Sequence, residues 1–500
     1  MTYILVIDLG TTYFKFARFD RAGRLCDLAA LAPPLRSPES GQLELDAAAF
    51  AEVLAQGIGQ LRQRAGETWT QVEAVTFATQ TNSFLLLDAA FRPLTPIVLW
   101  PDRRAADFEA EIHERATIPR LAATAGVPAV NPCFMIAKLL WLRRHVPEAC
   151  QRAQRLCLIS DYLGWLMTGQ LVTEAGAAAL TALVDIAHCR WWPEMLERME
   201  IEERLLSTVV RAGTDLGSIL PAAGERFGLP RSCRFVVGCL DQYAGAIGAG
   251  NVAGGLISET TGTVLATVSF RERCQEPFSD EGLAASVGLA PKKVPDTAFT
   301  EDLGGAVFQG PAFSEGSYYR MAFGDVSANY LEWYRNSLPD RPDFEALTAA
   351  AKDLALGAEG LRLATAGPPT TPEEVFQGWG PQHTRGHAVR AILEGVAVAL
   401  REQVRAVCEG TQPTEVRSAG GAARSDLWLQ IKADVLGVPF RGTQCPEPTS
   451  LGAAILAEAA LSGALVPEIA QHWVRLSDSY RPNPENHRRY GKIYPEVVRH

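Results

Sequence analysis

The stretch Ile4-Leu5-Val6-Ile7-Asp8-Leu9-Gly10-Thr11-Thr12-Tyr13-Phe14-Lys15-Phe16-Ala17-Arg18-Phe19 decides the fold. Ile4 to Ile7 reads as a strand, and the alternating segment Tyr13 to Phe19 reads as the returning strand of a hairpin. Between them lies the turn Asp8-Leu9-Gly10-Thr11-Thr12. Half a chain later the pattern recurs. A weaker strand from Gly255 to Ser258 leads into Glu259-Thr260-Thr261-Gly262-Thr263, and Val264 to Phe270 returns. Either hairpin alone is ordinary turn chemistry, because Gly and Thr are common in turns. Together they form an internal duplication, which predicts two copies of one architecture with a cleft between. Gly-Thr turns offer backbone N–H groups and hydroxyls with little bulk, so two that face one another make a clamp for nucleotide phosphates.

At 500 residues the chain exceeds the size at which one core keeps growing, and two domains are expected. Hydrophobic residues at 47% and charged residues at 21% place it among globular proteins. The net charge of −10 comes without a Lys/Arg run of the kind that tracks nucleic acid, which sets nucleic-acid binding aside. Met1 leads directly into a strand, and the glycine-rich stretch Ala244 to Phe270 is broken by Asn251 and Glu259, so no membrane association is expected and the location implied is cytoplasmic. The ten cysteines contain no C-x-x-C pair and read as small buried hydrophobes of a reducing compartment.

The first half opens as a three-stranded meander, Tyr3 to Leu9, Tyr13 to Asp20 and Arg24 to Leu31. Asp46 is placed to cap a helix reaching about Arg64, and the strand Val72 to Ala78 follows. Phe84 to Trp100 reads as an inserted hairpin, and the chain is then mostly helical (Ala105 to Arg115, Cys133 to His145, Asp161 to Met167, Glu194 to Met199) until the strand Arg234 to Cys239. The second half repeats the scheme with a long helix from Thr384 to Cys408, a strand Glu415 to Ser418, and helices Ser425 to Leu436 and Thr449 to Ser462. The order predicts an α/β fold with a mixed sheet in each half and helices on its faces.

Phosphoryl transfer needs a held triphosphate, a metal ion and an acceptor hydroxyl beside a base. No G-x-x-x-x-G-K-[ST] loop occurs, and Gly245 to Gly250 does not fit G-x-G-x-x-G. The sequence supplies instead three acidic strand ends, Asp8, Asp241 and Glu259. A carboxylate beside a phosphate clamp suits Mg²⁺. Asp241 closes the apolar run Phe235 to Leu240 and precedes a helix of small residues, Ala244 to Ala249. Alone it would be an ordinary helix cap; near a domain junction it is placed to accept a proton from an attacking hydroxyl. Ser418 to Ser425, with Gly420 and Gly421, is a glycine-rich strand-to-helix turn against which a base or ribose can lie.

This set resembles the FGGY family of carbohydrate kinases, within the actin, Hsp70 and sugar-kinase superfamily. Asp8 to Thr12 with Lys15 is similar to its first phosphate motif, Thr261-Gly262-Thr263 to its second, Gly238 to Gly250 to the segment with the catalytic aspartate, and Gly420 to Gly437 to the adenosine segment. Smaller echoes are Trp100 to Arg104, Lys138 with Trp141, His383 with Arg390 to Gly395, and Glu447 with Leu451 to Ala454. The resemblance implies two ribonuclease-H-like (actin-like ATPase) domains around an interdomain cleft, residues 1–248 binding sugar and 249–500 binding ATP. It implies Asp241 as general base, with Asp8 and Asp241 at the Mg²⁺. Gly10, Thr11, Thr12, Lys15, Thr261, Gly262 and Thr263 would face the phosphates. Gly420, Gly421, Ala422 and Ser425 would line the adenosine. A small-molecule sugar, ATP and a second copy of the chain in a homodimer are the partners it allows.

The sugar pocket departs from the family's better-known members. Xylulokinases typically carry Gln-Met-His after the strand that ends at Ala78 and glycerol kinases Gln-Arg-Glu, whereas this chain has Gln80-Thr81-Asn82. Cys133 stands where glycerol kinases place a tyrosine, while Asp241-Gln242 resembles their Asp-Gln pair. The expected sugar contacts are Gln80, Thr81, Asn82, Trp100, Asp102, Arg103, Asp241 and Gln242, with Trp100 as core or stacking wall. Neutral hydrogen-bonding groups dominate and point to an uncharged ketopentose such as xylulose or ribulose. Glycerol, erythritol, fuculose and gluconate are alternatives, Arg103 being the one cation that could favour an acid. An actin- or chaperone-type ATPase would share the clamps but not Asp241 with the inserted segment 79 to 104, and a non-catalytic binding protein would not need the acidic strand ends.

Overall fold

The computed structural model describes residues 2–272, 306–364 and 375–495. The meander is present as β1 (Tyr3–Leu9), β2 (Phe14–Asp20) and β3 (Leu25–Leu31). All seven residues of β1 are buried, as expected of a central strand covered on both faces. Asp46 caps α1 (Ala47–Ala65), its carboxylate accepting from the N–H groups of Ala48 and Ala49. β4 (Val72–Thr79) then runs parallel to β1.

The strand expected from Arg234 to Cys239 is broken into β5 (Arg234–Val236) and β6 (Cys239–Leu240), both parallel to β4. At the break Gly238 passes so close to β4 that a Cβ there would lie 1.6 Å from the Phe77 carbonyl oxygen. α2 (Asp241–Gly248) follows directly. The sheet order is Asp215–Ser218, β5, β4, β1, β2, β3. The expected hairpin at 84 to 100 belongs to a separate sheet, where Phe84–Leu87 pairs with Arg155–Leu158 and with Ile97–Val98, which pairs in turn with Glu44–Leu45.

The second half comprises β7 (Leu256–Thr261), β8 (Leu265–Arg271), β9 (Val307–Pro311), β10 (Tyr318–Gly324), α3 (Arg385–Cys408), β11 (Glu415–Ala419), α4 (Asp426–Leu436), β12 (Phe440–Gly442) and α5 (Pro448–Ser462). Its sheet runs β9-β10-β8-β7-β11-β12. The central strand β7, like β1, pairs antiparallel with the strand after its turn and parallel with the strand after a helix. The duplication is therefore one of topology. The C-terminal helices Val466–Trp473 and Pro484–Ile493 carry no counterpart in the sequence reading. No described helix is long and apolar enough to cross a membrane. The nine described cysteines are free, and Cys274 lies outside the described residues.

α5 belongs to the second half in sequence but packs on α2 and on β1 and β4 of the first. The α2–α5 crossing is backbone on backbone. A Cβ on Gly248 would lie 1.8 Å from the Pro448 oxygen, and one on Gly452 would lie 1.8 Å from the Ala244 oxygen. Neither oxygen can rotate away, so only glycine permits this approach. Gly452→Ala should lower the unfolding free energy by about 1–3 kcal/mol, the usual cost of overpacking. Gly59→Ala on α1, where an added Cβ meets nothing within 4 Å, should be neutral or stabilising. Urea denaturation of the two variants tests the contrast.

Candidate active site

Three parallel strands of the first sheet stop on the same rung. Leu9, Thr79 and Leu240 are aligned across β1, β4 and β6. The next residues, Gly10, Gln80 and Asp241, therefore leave the sheet side by side, at the carboxyl edge where open α/β sheets bind ligands. The Gln80 N–H donates to the Leu9 oxygen at 3.2 Å, carrying the alignment one step beyond the strands. Asp8 lies two residues before Gly10, so its side chain leaves on the face shared by that rung. In the second sheet Thr260 is aligned with Ala419, which brings Thr261 to Thr263 beside Gly420 to Ser425. Gly420 adopts φ 80° and ψ −164°, a region open only to glycine. Ser425 caps α4 by accepting from the Trp428 N–H, and Ser327 Oγ donates to the Gly262 oxygen at 2.7 Å, holding the second turn.

The two aspartates of this edge hold their protons unusually well. Burial, and after it the charge of Asp241, pushes the Asp8 carboxyl up to about 7; Lys15 opposes this and Glu447 adds to it. Burial likewise pushes Asp241 up to about 6, against the hydrogen bond its carboxylate accepts from the Gln242 N–H at 2.6 Å. Neighbouring carboxyls with raised pKa values are a site short of positive charge, which is the donor set a divalent cation would satisfy. Among the described residues no group of three or more His, Cys, Asp or Glu could hold a metal alone. That combination fits Mg²⁺, which keeps several waters and takes one or two carboxylates together with substrate phosphates.

The expected sugar contacts divide. Trp100 Nε1 donates to Thr11 Oγ1 at 2.7 Å, placing the indole against the first phosphate turn. Ser83 Oγ accepts from the Trp100 N–H at 2.9 Å and donates to Gln80 Oε1 at 3.1 Å, linking the two loops. Thr81 Oγ1 donates to the Ala177 oxygen at 2.7 Å and keeps its lone pairs free to accept. Gln242 and Asp241 are partly exposed. Gln80, Asn82 and Asp102 turn inward instead, and Gln80, buried, donates through Nε2 to the Gly10 oxygen at 3.4 Å. Asn82 sits at φ 60° with its amide bonded to the Leu180 oxygen and the Met135 N–H. Asp102 is fully buried, and its carboxylate takes the Arg104 guanidinium, the Arg104 N–H and the Leu43 N–H. Their polar groups are committed to protein partners. Among the described residues the Arg103 guanidinium has no hydrogen bond or ion pair, and its charge is felt by Cys133.

The phosphate and nucleotide turns divide as well. Gly10, Gly262, Thr12, Thr263, Gly420 and Gly421 are exposed or partly so, whereas Ala422 is buried. Thr261 is also buried, its hydroxyl donating to Glu259 Oε2 at 2.6 Å and accepting from Lys432 Nζ at 2.8 Å. Glu259 forms a buried ion pair with Lys432 at 2.6 Å and accepts from Ser418 Oγ. It is thus an interior residue and no functional counterpart of Asp8. The reason lies in the spacing: Asp8 is two residues before its turn glycine and Glu259 three before its own, so alternation sends the two carboxylates to opposite faces.

Lys138 was legible in the sequence only as an echo of the family pattern. Its place is the inner face of the helix Met135–His145, fully buried. The ammonium donates to the carbonyls of Leu99 at 2.8 Å, Asn82 at 3.0 Å and Trp100 at 3.2 Å. Burial pulls its pKa down to about 7 and the Asp102 carboxylate pulls back; three carbonyl acceptors use all three hydrogens of the charged form. One buried cation thereby clamps the Gln80 loop to the Trp100 loop.

Comparison with known proteins agrees with this arrangement. Residues 3–248 match the N-terminal domain of the FGGY family of carbohydrate kinases, and residues 308–461 match its C-terminal domain. The chain is 25% identical over 504 residues to xylulose kinase of Bacillus subtilis, covering 99% of this chain and 95% of that one. It is 30% identical over 531 residues to glycerol kinase of Aromatoleum aromaticum, covering 99% and 97%. The structure superposes on ligand-bound xylulose kinase from Lactobacillus acidophilus with a TM-score of 0.85 at 22% identity, over 99% of this chain and 96% of that one, a likeness of fold.

Lys138→Met should raise the KM for the acceptor by about tenfold or more, since each buried carbonyl left without a donor costs ~1–3 kcal/mol. The KM for the nucleotide should change far less, and Lys138→Arg should recover part of the loss. Steady-state kinetics with each substrate varied in turn measures the split.

Proposed function

We propose, since this chain belongs to the FGGY family of carbohydrate kinases and is a sugar kinase, that it transfers the γ-phosphoryl group of ATP to a hydroxyl of a small neutral ketose, with a pentulose as the preferred class. The observation that carries this reading is the shared rung of β1, β4 and β6, which delivers an acid, a phosphate turn and a polar pocket to one edge. Asp241 takes the proton of the attacking hydroxyl, and its partly buried carboxylate is a stronger base than an exposed one. The backbone of Gly10 to Thr12 and of Gly262 to Thr263, with Lys15, receives the β- and γ-phosphates. Gly420, Gly421 and Ser425 form the floor under the adenosine, with the buried Ala422 packed beneath them. Asp8 and Asp241 would hold Mg²⁺, directly or through its waters, and the ion when bound would supply charge neutralisation to the phosphates. Closure of the cleft keeps water from competing with the sugar hydroxyl.

The acceptor class follows from what stays accessible once Gln80, Asn82 and Asp102 are committed to internal partners. Thr81, Gln242 and the Trp100 indole offer hydroxyl, amide and aromatic contacts suited to an uncharged open-chain sugar. The named acceptors of its relatives include xylulose and glycerol. A second reading, a sugar acid such as gluconate, draws on the unpaired Arg103 guanidinium, which could take a carboxylate in two parallel hydrogen bonds.

Asp241→Asn should lower kcat by roughly 10²- to 10⁴-fold with acceptor affinity changed much less, since the amide keeps the shape and loses the base. Near-normal turnover at saturation would remove Asp241 from the chemistry. A coupled ADP-release assay across xylulose, ribulose, fuculose, erythritol, glycerol and gluconate should give the highest kcat/KM for a pentulose. Gluconate in first place, with its advantage abolished by Arg103→Met, would establish the sugar-acid reading in its stead.

A further inference from the structure

Lys15 is not free in the cleft. Its ammonium lies 2.6 Å from Glu447 Oε2, a residue far away in sequence and in the half of the chain read as nucleotide-binding. Glu447 holds the N-cap position of α5, yet its side chain makes no cap hydrogen bond. A glutamate at a helix start would ordinarily serve the exposed N–H groups there; this one reaches across to the first half. Lys15 in turn lies directly opposite Asp8 in the β1/β2 pair, which puts the two side chains on one face of the sheet. Lys15 is 36% exposed and Glu447 14%, so the pair is open to an incoming ligand. Asp8 feels the charges of Lys15, Glu447 and Asp241 together, one cation among three carboxyls.

We propose that Glu447 is the resting counter-ion of Lys15 and gives it up to the nucleotide phosphates, so that one ion pair bridges the two halves in the free enzyme and sets the affinity for nucleotide. The proposal rests on the reading of Lys15 as a phosphate contact. A single ammonium placed between a carboxylate and a triphosphate goes to the more highly charged anion, and the two anions repel one another across it. The carboxylate therefore leaves Lys15 as phosphate arrives. Every nucleotide-binding event includes the cost of breaking the bridge. Product release recovers that cost, because the returning Glu447 competes with ADP for Lys15.

Isothermal titration of ATP in EDTA, without acceptor, tests this on the full chain. Lys15→Met should weaken binding. Glu447→Gln should tighten it by about two- to fivefold, the range that a partly exposed ion pair commands. Glu447→Ala should give a similar gain, because removal of the charge is what matters. The gain from Glu447→Gln should be smaller in the Lys15→Met background than in the wild-type chain, and an equal gain in both overturns the exchange. Weakened binding by Lys15→Met together with unchanged or weaker binding by both Glu447 variants overturns the exchange and leaves the role of Lys15 intact. Wild-type affinity in Lys15→Met overturns the phosphate contact itself, and the exchange with it.

Discussion

The constraint on which the rest of the structure depends is the hydrogen-bond register of β1, β4 and β6. Because these strands are parallel and in step, Gly10, Gln80 and Asp241 are neighbours in space though they come from three distant parts of the chain. A slip of one residue in any of them would turn its side chains to the opposite face and separate the acid from the phosphate turn. Gly238 belongs to this constraint. It lets the chain pass against the Phe77 carbonyl between β5 and β6, so the break in the strand lies just before the rung that sets Asp241 level with Gly10. The pairing of α2 with α5 through Gly248 and Gly452 then fixes the helix that Asp241 begins against the other half of the chain.

Buried charge plays a second, more local role. Lys138 and the Glu259–Lys432 pair face no solvent, and each ties together loops that must keep a fixed distance. Lys138 gathers the carbonyls of Asn82, Leu99 and Trp100. Lys432 gathers Glu259 and Thr261 beneath the second phosphate turn. A buried ammonium is stable only with its donors occupied, so such a residue imposes geometry on its acceptors as much as it receives it. The two halves thus use the same device in different places, the first under the loops at Asn82 and Trp100 and the second under the turn at Gly262.

The duplication has been put to unequal use. Both halves keep the turn after the central strand, but only in the first does the strand-end acid lie two residues before the turn glycine, and in the second the strand-to-helix turn carries Gly420 at φ 80° and ψ −164°. The charge of Asp241 helps raise the pKa of Asp8, while Glu259 has been drawn inside and paired with Lys432. The topology of the two sheets is shared and their chemistry is complementary. A reaction joining two substrates from opposite sides of a cleft requires that division.

The sequence by itself determined the repeated hairpins, the cap at Asp46, the long helix from about Thr384, and the turns at Gly10, Gly262 and Gly420, because each is written in local periodicity and turn chemistry. It also determined which polar residues follow which strands, and so the family and the candidate base. Tertiary structure alone decided which way those residues point. Asn82, Asp102 and Thr261 look in sequence like their accessible neighbours, but their partners include Leu43, Leu180 and Lys432, the last 171 residues from Thr261. The pairing of Lys15 with Glu447 and the contact of Gly248 with Pro448 are of the same kind, set between parts of the chain far apart in sequence. Local pattern encodes φ, ψ and the face of an element, whereas the partner of a buried polar group is fixed only when distant elements pack and each donor must find an acceptor.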